Sequence, residues 1–97
     1  MYVILTTKPD EFRTIMGDGV VLIESYDYIF YGRKRANFTI AEIVDADRIT
    51  IVEDEPPHIV NKVPCKMFES FDTVEEARAE LNVLTHFGSM DIELRAV

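Results

Sequence analysis

The chain has one cysteine, no tryptophan, two histidines, four glycines and four prolines among 97 residues, and each scarcity excludes something. Cys65 has no second cysteine to pair with, so an intramolecular disulfide is impossible and a thiolate zinc centre is not expected. Beside Pro64 in an apolar stretch, its ordinary role is that of a small buried hydrophobe. No neighbouring base argues for an activated thiol. The histidines, His58 and His86, sit in no zinc spacing, and the acidic run around His58 does not match an EF-hand loop. No serine occupies a nucleophile elbow and no glycine pattern cradles a phosphate. No apolar run approaches the ~20 residues of a membrane helix. The opening Met1-Tyr-Val-Ile-Leu-Thr-Thr lacks a basic lead and a small-residue cleavage site. The expectation is a cytoplasmic protein without catalytic centre, cofactor or metal.

Positive charge is also scarce. Ten Lys and Arg face 18 Asp and Glu, giving a net charge of −8. Residues 1–36 balance, with five acids and five bases, while residues 37–97 carry thirteen acids and five bases. Such a chain repels phosphate backbones, which disfavours nucleic-acid binding. An acidic face offered to a basic protein is the functional alternative to plain solubility.

Hydrophobic residues make up 47% of the chain, which excludes disorder and, at this length, favours one domain over residues 1–97. The stretch from Tyr26 to Ile43 organises it. Tyr26, Tyr28 and Phe30 alternate with Asp27, Ile29 and Tyr31, as on a strand. Gly32 provides a turn. Ala36, Phe38 and Ile40 then alternate with Asn37, Thr39 and Ala41 on a return strand. A strand from Val20 to Tyr31 is long, so a bend near Ser25 is expected. Ile29 and Tyr31 fall on a face that is either exposed or paired with a second subunit.

Tyr2–Thr6 reads as a first strand. Residues 8–19 are ambiguous. A short helix, a strand over Phe12–Met16 paired with Val20–Ile23, or an irregular segment all fit, and the irregular segment is preferred. Arg48–Val52 reads as a third strand following the hairpin, making a meander. Glu53-Asp-Glu-Pro-Pro-His is an exposed loop. Ile59–Phe68 holds a strand broken at Pro64, and Ile92–Ala96 is a last strand or a tail. The clearest helix spans about 73–87. Asp72 or Thr73 caps it, Glu75 or Glu76 completes a capping box, Val74, Ala77, Leu81 and Leu84 form its buried stripe, and Gly88 stops it. The fold class is α+β: an antiparallel sheet of four to six strands, open or curled into a small SH3-like barrel, packed by one C-terminal helix.

The function expected is a small non-enzymatic accessory or regulatory module that binds a protein partner, with an acidic inhibitor of a larger complex as a variant. Candidate contact residues are Tyr28, Tyr31, Arg33, Lys34 and Arg35 on the hairpin and Glu53, Asp54 and Glu55 on the acidic loop. A homodimer is a further option. The alternative class is a dimeric ligand-binding protein or enzyme with a pocket between sheet and helix, built from Tyr26, Tyr28, Cys65 and His86. Nucleic-acid binding through Arg33–Arg35 is the weakest reading.

Overall fold

A computed structural model describes residues 1–86 and 90–97. Strands β1 (Tyr2–Thr7), β2 (Phe12–Ile15), β3 (Val20–Phe30), β4 (Arg33–Ile43), β5 (Arg48–Glu53) and β6 (Val60–Pro64) come first. A 3-10 turn (Cys65–Met67), helix α1 (Val74–Thr85) and β7 (Ile92–Ala96) follow. The fold is α+β: the described residues form seven strands in two antiparallel sheets and one α-helix toward the C-terminal side. One sheet has the order β1-β4-β3-β7 and the other β2-β5-β6; neither is a closed barrel.

The β3–β4 hairpin is the longest pairing. Its turn is Tyr31-Gly32, with φ of 48° and 76°, the two positive values that a tight two-residue hairpin loop demands. Phe30 faces Arg33 across it, so Arg33, Lys34 and Arg35 are strand residues beside the tip. Two register shifts interrupt the ladder, one between Leu22 and Glu24 and one between Tyr28 and Ile29. The bend expected near Ser25 therefore falls at Ile23. Ile29 is buried, and so is not a surface for a second subunit.

The meander is corrected. β4 has β1 on its other side, with Val3 opposite Ala41 and Leu5 opposite Thr39, and β5 belongs to the second sheet. The chain leaves the first sheet after Ile43, where Val44 and Asp45 both donate to the Gly19 carbonyl. Gly19 has φ +77°, and a Cβ there would lie 1.7 Å from the Asp45 oxygen. Only glycine permits that approach. Residues 8–19 are corrected as well. Phe12–Ile15 is a strand, and its partner is β5 rather than β3.

The first sheet is covered on both faces. On one, Val3, Leu5 and Ala41 meet Ile49 and Cys65 from the region of the second sheet. On the other, α1 packs against β1 and β4, where Ile40 is fully buried. The helix begins as its sequence requires. Thr73 accepts a hydrogen bond from the Glu76 N–H, and the Glu76 carboxylate accepts from the Asp72 N–H. Its buried stripe is Ala77, Leu81 and Thr85. Leu84 is half exposed, and the buried position of the last turn is Thr85, whose hydroxyl donates back to the Leu81 carbonyl. The helix ends at Thr85; the stop expected at Gly88 lies outside the described residues.

Candidate functional site

The hairpin end meets the connection between β1 and β2. That connection is a tight turn in which Glu11 and Phe12 both donate to the Lys8 carbonyl and Asp10 takes φ +67°. Across from it, Tyr28 and Ala36 are directly opposed, as are Tyr26 and Phe38. Opposed residues share a face, so Tyr28 lies edge-on to Phe38, with ring centroids 5.9 Å apart. The two walls enclose an open groove of about 420 Å³ with Tyr28 and Phe38 on its floor. Lys34 and Arg35 flank it from the hairpin, and Lys8, Asp10 and Glu11 from the turn.

Asp10 and Glu11 also form one wall of a second recess of about 370 Å³, whose other wall is Glu53, Glu55 and Pro56. The acidic loop is tied there by the Asp54 N–H, which donates to the Glu11 carbonyl at 3.0 Å. The structure thus joins Tyr28, Lys34 and Arg35 to Glu53 and Glu55 through a shared wall. Tyr31, 60% exposed at the tip, and Arg33 lie outside both recesses, as does the Asp54 side chain. Lys8, Pro9, Asp10 and Glu11 of the turn, with Ala36 and Phe38 of β4, line the groove without having been singled out as site residues in the sequence. The only signal of the turn residues is their charged run, Lys8-Pro-Asp-Glu.

Lys34 is not a free cation. Its Nζ lies 3.2 Å from Asp27. Asp27 belongs to a half-buried polar set on the opposite face of the sheet, where the Asn37 amide donates to both Asp27 and Ser25. Burial pushes the Asp27 carboxyl up, but hydrogen bonds from Asn37 and Lys34 outweigh it and hold the group below its ordinary value. Arg35 carries no ion pair among the described residues.

The groups of a sheet–helix pocket are dispersed. Tyr26 donates to Glu24, which also accepts two 2.6 Å bonds from Arg78 on α1. Burial raises the Tyr26 hydroxyl pKa, and the Glu24 carboxylate adds to it. Tyr28 is in the hairpin groove. Cys65 is buried in the core, where burial first and the Asp47 charge second push its thiol up. His86 is the exposed C-cap of α1. Among the described residues no group of three or more His, Cys, Asp or Glu side chains is placed to hold a metal ion. Among them, too, no helix is long and apolar enough to cross a membrane. Comparison with protein-family models, with curated proteins and with solved structures finds no match.

Proposed function

We propose that this is a non-enzymatic accessory or regulatory module that binds a protein partner at the hairpin end. One observation carries the reading: an aromatic floor with cations on one side is continuous, through Asp10 and Glu11, with an acidic recess. A polypeptide offers both signs of charge and apolar side chains within a few residues, and charge complementarity at such a contact sets orientation and partner choice. An open groove suits a partner surface better than it suits a small ligand, which is held by enclosure. In the inhibitor variant the Glu53–Glu55 side enters a basic site of the partner. A partner that is a second copy makes a homodimer. The reading places the protein in the cytoplasm, where the lone Cys65 thiol stays reduced.

The test is capture of partners on the tagged protein from its native host, with Tyr28→Ala and Lys34→Glu/Arg35→Glu as controls. A stoichiometric protein retained by the native chain and lost from both variants supports the reading. Capture of nothing, or of a partner indifferent to both variants, overturns it.

A further inference from the structure

The second sheet has an outer face that nothing among the described residues covers. Its inner face carries Phe12, Thr14, Ile49 and Ile51; Ile49 lies in the core and Thr14 bonds to β1. The register then fixes what points outward. Arg13, Val52 and Val60 stand in one row, Ile15, Thr50 and Lys62 in the next, and Arg48 and Pro64 in the third. Ile15 and Val60 are exposed. Arg13, Arg48 and Lys62 are all outside the ion pairs of the described residues. Among the described residues no carboxylate stands in these three rows; Asp47 lies at one end, beside Arg48 and Lys66, and Glu11 and Asp54, joined backbone to backbone, lie past the Arg13–Val52–Val60 row at the other. A protein of net charge −8 therefore has one face that is cationic and apolar.

We infer that this face docks an amphipathic helix of another polypeptide, one whose apolar stripe is flanked by carboxylates. Charge complementarity selects the sign of the partner. The molecule contains a related arrangement with the signs reversed: α1 lies on the first sheet with Ala77 and Leu81 inward, and Arg78 of the helix pairs with Glu24 of the sheet at the rim. On the second sheet the cations belong to the sheet itself and no helix among the described residues covers them, so a docking helix supplies the carboxylates. Dimensions agree. Three strands about 4.8 Å apart and four to six residues long make a platform roughly 14 by 17 Å, and a ten-residue helix is about 15 Å long and 10 Å wide. A nucleic-acid duplex suits the face less well. It extends past the platform into the acidic remainder of the molecule, and the face carries no aromatic side chain on which a base could stack. The face is separate from the hairpin groove, and the inference does not depend on that reading.

The probe is a fluorescent synthetic helix with leucines at i, i+3 and i+4 spacing and glutamates on both flanks. A counterpart has lysine for each glutamate. The full chain is titrated with each, and with a DNA duplex, by fluorescence anisotropy. Expected are saturable binding of the glutamate helix, at least about tenfold weaker binding of the lysine helix, and a similar loss on Arg13→Ala/Lys62→Ala and on Val60→Asp. Backbone amide shifts should move on β2, β5 and β6, and Lys34→Glu/Arg35→Glu should leave the titration unchanged. All variants are at exposed positions, and circular dichroism verifies their folding. Equal binding of the two helices, binding of neither, indifference to Val60→Asp, or tighter binding of the duplex overturns the inference.

Discussion

Gly19 and Gly32 have nearly the same φ, +77° and +76°, but different surroundings. At Gly32 an added Cβ meets nothing within 4 Å; at Gly19 it collides with the Asp45 backbone. Gly32→Ala should cost only the left-handed penalty, about 1 kcal/mol. Gly19→Ala must also move the exit from β4, and should cost about 3 kcal/mol or more. Urea denaturation of the two variants checks the order; equal costs would mean that the Gly19–Asp45 contact does not hold. At the same scale, Glu24 is held below its ordinary 4.5, first by the Arg78 hydrogen bond and then by Tyr26, against the opposing effect of burial. A depressed carboxyl stabilises the fold above its unfolded value, and that contribution is lost as pH falls through the lower folded value. The stability difference between pH 7 and pH 3 should therefore be smaller in Glu24→Gln than in the native chain. An unchanged difference would remove Glu24 from the acid limb.

Helix α1 shows how far an element can be read without coordinates. Leu81 is 2% exposed, and Leu81→Ala should cost about 3 kcal/mol by leaving a cavity between α1 and the first sheet. Leu84 belongs to the same sequence stripe yet is 50% exposed, and Leu84→Asp should cost less than about 1 kcal/mol. Thermal melts of the pair separate the buried face from the apparent one. The cap at Thr73 was legible because a threonine three residues before a glutamate is a local device. The hairpin was legible for the same kind of reason, since alternation and Gly32 are local. What was not legible is partner choice. Phe12–Ile15 alternates over too few residues to declare itself, and Tyr2–Thr7 fits beside β4 as well as β5 would on alternation alone. Burial of Val3 and Leu5 decides it, and that depends on contacts more than thirty residues distant. The site was half legible likewise. Tyr28, Lys34 and Arg35 announce themselves as aromatic and basic strand residues, but the opposing wall at Lys8–Glu11 exists only once β1 and β2 are placed.

For the whole molecule, charge is segregated by surface. The outward surface of α1 and the Glu53–Glu55 loop carry carboxylates, while the outer face of the second sheet carries Arg13, Arg48 and Lys62. A net charge averages over these surfaces and hides them. The order β1-β4-β3-β7 also puts the two terminal strands at opposite edges of one sheet. Met1 bonds to Ile43, and Val97 donates to the Ser25 carbonyl, so both ends leave toward the side of the sheet away from the Tyr31-Gly32 turn. Tension applied between Met1 and Val97 would load each edge ladder one hydrogen bond at a time, as a zipper is opened, rather than all rungs together in shear. In an optical trap the domain should yield at low force. β7 should peel first, because it has no buried side chain, and β1 second, because it must withdraw Val3 and Leu5 from the core. A single high-force rupture would contradict that order. A fold stiffened by covering both faces of a sheet is, along this axis, mechanically soft.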